Sequence, residues 1–449
     1  MSERPANPAR GPRRDDLRVL IVAEHASARF GGEAILPLQY FRRLRARGID
    51  AWLIVHERTR AELSELLAND LDRIHFVPDT RWHRLLDRWT SRLPQRLQNF
   101  TTGWLLRLLS QVMARRIARR LVRELDIRVV HQPIPVSPKE PSLLHSMGAP
   151  VVIGPMNGGM TFPPGLGGNR SDDTPFRRFA RRLSGVMNLL LPGKRRAAVL
   201  VVANERTRRA LPPSGKVHVI TLAENGVDLS LWTPAQSSEP RATTRFVFLG
   251  RLEDWKGVDL LIEAFDGLPA PQATLEIIGD GPMRAPWEGA VNRLGLQSRI
   301  RFLGWKSQSQ CADELKWADA LVLPSFYECG GAVVLEAMAC ALPVIALAWG
   351  GPADYLDETC GILVPPGPRE QMIEDLRAAM SRLAESAQLR RELGRAGRLR
   401  VVEHFDWERK IDQILDIYRL ATDRADVSIS FPATHRESAP LQSSPEQHQ

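Results

Sequence analysis

Short β-branched runs alternate with longer amphipathic stretches along this chain, and the alternation occurs twice. In the first half the runs are LRVLIVA (17–23), DAWLIVH (50–56), IRVVHQ (127–132) and PVVIGP (150–155), with the helix-like ILPLQYFRRLRARG between the first two. The second half repeats the rhythm with RFVFLG (245–250), TLEIIGDG (274–281), IRFLGW (300–305), ALVLPSF (320–326), PVIAL (343–347) and GILVPP (361–366). These runs are apolar throughout, the pattern of parallel strands covered by helices on both faces. A chain of 449 residues is also too long for one hydrophobic core. The expectation is an α/β protein of two doubly wound domains.

The break is expected near residue 200, in VLVVANERTRRALPPSGK, where Pro212-Pro213-Ser214-Gly215 interrupts the rhythm. This gives a first domain over 17–200 and a second over 201–404. Residues 1–16 and 424–449 are polar, rich in Pro, Ser and Gln, and lack periodicity, so they read as disordered tails. A last helix, WERKIDQILDIYRL (407–420), follows the second set of runs, and its pattern alone does not assign it to either domain.

No run of eighteen uncharged apolar residues occurs, and the basic start MSERPANPARGPRRDD has no apolar stretch after it, which points to a cytoplasmic protein. The cysteines Cys311, Cys329, Cys340 and Cys360 show no C-x-x-C spacing, against both a zinc knuckle and a disulfide framework. The formal charge of +9 is unevenly spread. Between Arg81 and Arg123 there are eleven arginines and one acid, Asp87, interleaved with Trp and Leu, and FRRFARRLSGVMNLLLPGKRR (176–196) has the same make-up. Such segments suit an anionic lipid surface, and equally the exposed faces of ordinary helices. No RNA-recognition or helix-turn-helix pattern accompanies the charge, so nucleic acid is not expected as a partner.

The chemistry is concentrated in YECGGAVVLE, residues 327–336. ALVLPSF reads as a strand, YECGG as a turn and AVVLEAMACA as a helix. In open parallel sheets ligands lie beyond the carboxyl ends of the strands. Gly330, Gly331 and the first helical residue Ala332 then lie where unpaired N–H groups and the positive end of the helix dipole favour an anion. Glycine lets a phosphate approach the main chain. Glu336, roughly 7–8 Å further along the helix, suits a diol such as a ribose, and Glu328 suits hydroxyls on the other side of the phosphates. Taken alone, the stretch is also consistent with a helix start carrying one acid favoured by the dipole and a second on the solvent face. The context FLGRLEDWKGVDLLIEAF (248–265) adds Arg251 and Lys256 on a loop at the same sheet edge, two cations that complement the anion.

Taken as a set, G-R-L-x-x-x-K-G (250–257), E-x7-E (328–336), ENGVD (224–228) and IIGDGP (277–282) resemble the retaining glycosyltransferases of family 4, which have the GT-B fold of two Rossmann-like domains facing across a cleft. The first half fits less tightly, with a glycine turn, Phe30-Gly31-Gly32, after its first strand and His131 at the end of IRVVHQ. The resemblance implies a nucleotide-sugar donor held by the second domain. Arg251 and Lys256 would grip its diphosphate, Glu336 its ribose and Glu328 the transferred sugar. Gly31 and Gly32 would approach the diphosphate from the first domain, and His131 the sugar near its reacting carbon. The resemblance also implies that the last helix (405–423) returns to the first domain. His131 reads equally as a satisfied buried histidine beside a strand end.

Leaving of a nucleoside diphosphate puts negative charge on its oxygen, which fixed cations and a helix N-terminus stabilise, so neither metal nor other cofactor is expected. The triplet Asp70-Leu71-Asp72 lies on a polar stretch away from this region. HQPIPVSPKEPSLL (131–144) and GPMNGGMTFPPG (154–165) are assigned to the acceptor side, for a saccharide or lipid-linked saccharide reached from the inner face of the plasma membrane in polysaccharide biosynthesis. No G-x-G-x-x-G opens a helix after a strand, and G-x-x-x-x-G-K-[ST] and H-E-x-x-H are absent, against a dinucleotide oxidoreductase, a P-loop NTPase and a zinc protease. A non-catalytic nucleotide-sugar sensor or scaffold of the same fold is the competing class.

Overall fold

The computed structural model describes residues 17–29, 32–80, 95–163, 185–213, 215, 217–235 and 243–423, with the backbone alone for 95–105. The tails expected to be disordered, Phe30, Gly31 and the first part of each arginine-rich segment lie outside the described residues.

Two parallel sheets form the frame. The first has seven strands in the order β3-β2-β1-β4-β5-β6-β7. In chain order these are β1 Arg18–Val22, β2 Asp50–His56, β3 Ile74–Val77, β4 Val129–Gln132, β5 Val151–Met156, β6 Val199–Val202 and β7 His218–Thr221. The second has six, in the order β10-β9-β8-β11-β12-β13: β8 Arg245–Leu249, β9 Thr274–Ile278, β10 Ile300–Gly304, β11 Ala320–Leu323, β12 Val344–Leu347 and β13 Gly361–Val364. The strand order reverses at the same place in both. β1 pairs with β2 on one side and β4 on the other, and β8 with β9 and β11. A reversal of this kind opens a crevice at the carboxyl ends of the strands.

The expected division at residue 200 is corrected: β6 and β7 are the last two strands of the first sheet. Val199–Val202 is fully buried and reads as a strand, but the proline pair after it reads as a linker, although it only bends the chain between the short helix Glu205–Ala210 and β7. β7 itself, HVIT, is an edge strand that is exposed or half-buried along its length and carries no apolar run. The first domain therefore extends to Thr221, and ENGVD is the crossing to the second.

Apolar residues fill both faces of the first sheet. On one face the helix Gln95–Glu124 presents Ala114, Ala118, Leu121 and Val122 to Leu20, Ile54 and Val130. This part of the arginine-rich segment is thus a core helix whose apolar stripe is spent on the sheet. On the other face the helix Ile35–Ala46 packs beside the terminal helix Trp407–Asp423, which buries Trp407, Ile411, Ile414 and Tyr418 in the first domain's core. The two crossings between domains run side by side. Val227 N–H donates to Phe405 O at 2.8 Å, and Trp407 N–H to Val227 O at 3.1 Å. Among the described residues no helix is long and apolar enough to cross a membrane.

Candidate active site

The second-domain wall begins with β11, whose four residues are fully buried. Beyond it the chain turns through Tyr327–Gly331 into the helix Ala332–Ala339. Gly331 holds φ of 75°, a left-handed conformation that costs any residue with a Cβ. A Cβ on Gly330 would stand 2.4 Å from Asn225 Nδ2, and one on Gly351 would stand 2.0 Å from Gly330 O. Two other turns, ENG and Trp349–Gly351, close on this one, so the glycines are required by packing. The helix they introduce has no side-chain cap, and its first N–H groups are left for an anion.

The loop after β8 is laced to this turn. Phe326 N–H donates to Trp255 O at 3.0 Å, and a Cβ on Gly257 would meet Pro324 O at 2.4 Å. This register sets the Lys256 ammonium against the Glu328 carboxylate, both side chains largely buried. The two were expected to serve different parts of the donor, but without ligand they neutralise each other. The Arg251 side chain, expected beside Lys256, is 79 % exposed and lies 3.0 Å from Glu253, and neither cation is among the residues lining the cleft. Glu336 is half-buried on the helix behind the turn, its side chain without a hydrogen bond or ion pair among the described residues, and burial pushes its carboxyl up to about 7.

Gly32, Glu33, Pro135–Glu140 and Asn157–Met160 make the facing wall, and together with Glu224, Glu328 and Gly330–Ala332 they enclose a cleft of about 590 Å³. Both loops assigned to the acceptor side therefore contribute. Polar contacts fix them. Val136 N–H donates to Glu33 at 3.2 Å, and Asn188 to Lys139 O at 2.7 Å. The buried Lys194 ammonium donates to the carbonyls of Ser137 and Pro138, and desolvation lowers it to about 7. Arg107 pairs with Glu140 at 3.3 Å. The segment after β5 crosses to the other domain, where Asn157 Nδ2 donates to Cys329 O at 2.9 Å and Trp349 Nε1 donates to Thr161 O at 2.8 Å. Phe162 rests on Tyr327, ring centroids 4.7 Å apart.

His131 is corrected. It ends β4 as expected, but its side chain is fully buried on the sheet face covered by the terminal helix, away from the cleft. One ring nitrogen lies 2.7 Å from Gly154 O and the other 2.7 Å from the Tyr418 hydroxyl, with Tyr40 edge-on at 4.9 Å. Burial drives its pKa down to about 4, so the ring is neutral and fully engaged. The triplet Asp70–Asp72 lies in a short helical segment before the edge strand β3, where Asp70 accepts from Arg45 at 2.9 Å.

Sequence reasoning did not single out the cleft floor. Glu224 accepts from Asn157 Nδ2 at 2.7 Å, Asn204 donates to Asp354 at 2.7 Å, and Arg206 reaches Asp354 at 3.1 Å. Lys410 of the terminal helix is buried beneath and donates to the carbonyls of Ala223 and Glu224. The one available signal was ENGVD itself, whose glutamate precedes a turn in an otherwise apolar context.

Two Rossmann-like domains with matching switch points and a cleft between them define a GT-B protein. Solved structures share this fold across nearly the whole chain. Sucrose-phosphate synthase from Thermosynechococcus elongatus superposes with a TM-score of 0.61 at 20 % identity, covering 91 % of this chain and 100 % of that one. A glycosyltransferase from Rickettsia africae gives 0.63 at 15 % identity over 91 % and 100 % of the two chains. HepE from Anabaena, in complex with UDP, gives 0.60 at 16 % over 89 % and 99 %. Residues 233–400 match the family model of glycosyl transferases group 1. The D-inositol 3-phosphate glycosyltransferase of Actinosynnema mirum is 34 % identical over 221 residues, 44 % of this chain and 51 % of that protein. That of Jonesia denitrificans is 31 % identical over 235 residues, 47 % and 53 % of the two. The chain thus spans about half the length of the curated relatives it matches.

Proposed function

We propose that this protein is a retaining glycosyltransferase of family 4. It moves a sugar from a nucleotide-sugar donor to a saccharide or lipid-linked saccharide without a metal ion, in polysaccharide assembly at the cytoplasmic face of the plasma membrane. The observation that carries the reading is the cleft of about 590 Å³, walled on one side by the uncapped helix start at Gly330–Ala332 and on the other by Gly32 and the loops after β4 and β5. Rupture of the bond between sugar and diphosphate leaves negative charge on the departing oxygen, and the helix N-terminus stabilises it. Lys256, released from Glu328 as the phosphates arrive, adds the cation. Glu328 is then free to accept from hydroxyls of the transferred sugar, and Glu336 from a ribose. The departing phosphate oxygen takes the acceptor's proton, so retention needs no separate base.

Calorimetry with a panel of nucleoside diphosphates and nucleotide-sugars, EDTA present, tests the reading. HepE holds UDP, so uridine nucleotides head the panel. Micromolar binding of one base, weakened in Lys256→Ala and Glu336→Ala, is expected, followed by transfer or slow hydrolysis of the sugar. If no member of the panel binds, the reading is wrong. The burial of His131 favours a second reading, a nucleotide-sugar sensor that binds without transferring, because the cleft then lacks the histidine expected near the reacting carbon. Binding with no release of sugar to any acceptor or to water would select it.

Membrane contact is supported by Val186, Leu189 and Leu190, which are 52 %, 62 % and 66 % exposed beside Arg195, whose guanidinium reaches Leu189 O. Apolar side chains next to arginine suit an anionic lipid surface.

A further inference from the structure

The carboxylate at the floor of the cleft is placed where an anion is expected to bind, and that conflict has a chemical resolution. Glu224 is 7 % exposed, yet it lines the cleft. Its Oε2 would stand 3.2 Å from a Cβ on Gly330, the glycine that leaves the helix start open. Asn157 Nδ2 donates to Oε2 at 2.7 Å, and no protein donor reaches Oε1 among the described residues.

The groups around it come from every neighbouring element. Glu33 precedes the helix Ile35–Ala46 and Tyr40 lies within it, Glu328 and Cys329 are in the turn before Ala332, and Tyr355 ends the helix Gly351–Tyr355. Among the described residues Lys410 is the cation that acts on it. Its N–H groups are committed to the carbonyls of Ala223, Glu224 and, at 3.5 Å, Asn225, so it does not bond the carboxylate. Among the described residues two acids and no bonded cation thus face Glu224. Burial is the largest influence and pushes the group up to about 7, with Glu33 and Glu328 acting in the same direction and Asn157 and Lys410 opposing.

We propose that Glu224 is a donor-binding residue whose protonated carboxyl, with Asn157 fixing Oε2, donates a hydrogen bond from Oε1 to a phosphate oxygen of the nucleotide-sugar at the start of the helix Ala332–Ala339. This rests on the reading of the cleft as a nucleotide-sugar site. An ionised carboxylate there repels the diphosphate, and a neutral one binds it, so binding takes up a proton above the carboxyl's titration. The diphosphate of a nucleotide-sugar carries no group that titrates between pH 6 and 9, so the proton count reports on the protein.

The test is calorimetry with UDP-glucose, or with whichever nucleotide-sugar of the panel binds, at pH 6.5, 7.5 and 8.5 in buffers of different ionisation enthalpy. The wild-type chain is expected to take up up to about one proton per site at the higher pH values, its Kd rising about tenfold per pH unit above the titration. E224Q, which keeps the hydrogen-bonding shape without the proton, is expected to lose both the uptake and the pH slope. E224A is expected to bind more weakly at every pH, and thermal melting confirms that each variant folds. Uptake and slope unchanged in E224Q, or affinity that improves as pH rises, would overturn the assignment while leaving the nucleotide site intact. If no nucleotide-sugar binds, the reading of the cleft falls and the assignment with it.

Discussion

The two walls of the cleft are built by different means. The second-domain wall is local: one strand, one turn and one helix, residues 320–339, bring Glu328, Gly330, Gly331 and Glu336 into place. The first-domain wall is assembled from loops whose shape depends on side chains distant in sequence, as where Glu33 holds Val136, 103 residues away, and Lys194 holds Pro138, 56 away. A wall made by a contiguous strand, turn and helix tolerates no extra atom at its glycines. A wall made by loops instead depends on its buried polar contacts. The two walls should therefore fail under different substitutions.

The largest expected effect is on the second wall. Lys256→Ala removes the cation that a diphosphate would meet and leaves Glu328 largely buried without its partner. A charge-assisted hydrogen bond contributes about 1.5–3 kcal/mol, so nucleotide affinity should fall roughly 10- to 100-fold. Arg251→Ala, at a side chain 79 % exposed, should change affinity by less than about threefold. Calorimetry on both variants checks the pair, and equal losses would show that Arg251 closes onto the ligand.

A second contrast lies between glycines. Gly330→Ala forces a methyl to within 2.4 Å of Asn225 Nδ2 and should destabilise by about 1–3 kcal/mol and weaken nucleotide binding. Gly32→Ala meets nothing within 4 Å, and its cost is the left-handed backbone at φ 55°, about 1 kcal/mol. Thermal melting of the two variants measures the difference. Equal costs would mean that the crossing at Asn225 gives way more easily than its contacts suggest.

The same distinction explains what could be read in advance. Parallel strands buried on both faces, such as β1 and β11, announce themselves as apolar runs, and the strand, turn and helix that carry Gly330 are contiguous in sequence. β7 could not be read because an edge strand is wetted along one side and need not be apolar. His131 shows the limit for single residues. A histidine at the carboxyl end of a strand points to one face of the sheet or the other, and β4 turns this one onto the face where Tyr418 arrives from 287 residues away. Glu224 escaped notice for the converse reason, since it matters through Asn157 and Gly330, neither of them near it in sequence.

Buried titratable groups sharpen the comparison through pH. Glu336, on the second wall, is raised to about 7, so it contributes stability that is fully present below the ordinary glutamate range and is lost as pH rises through about 7. Lys194, on the first, is lowered to about 7, so its contribution is present above the ordinary lysine range and is lost as pH falls through about 7. Each slope is at most about 1.4 kcal/mol per pH unit. Urea titrations from pH 5 to 10 should show Glu336→Gln flattening the acid side alone and Lys194→Met the alkaline side alone. A mutant that changes the opposite limb would break the assignment of these groups.

The smallest expected effect concerns the outside of the first wall. Asn188 joins the helical turn 185–190 to the cleft loop through Lys139 O, and the same turn exposes Leu189 and Leu190. If this turn meets lipid, the membrane and the acceptor loop share one element, which suits an acceptor that remains in the bilayer. The double variant Leu189→Ser, Leu190→Ser removes two apolar contacts worth about 1 kcal/mol each when only partly inserted, so partitioning to anionic vesicles should drop several-fold. Nucleotide affinity should be unaffected, because neither leucine lines the cleft. Co-sedimentation at moderate salt measures the first quantity and calorimetry the second. Partitioning that is equal for neutral and anionic vesicles, or unchanged in the variant, would detach the turn from the membrane and leave the acceptor loop to be explained by a soluble saccharide.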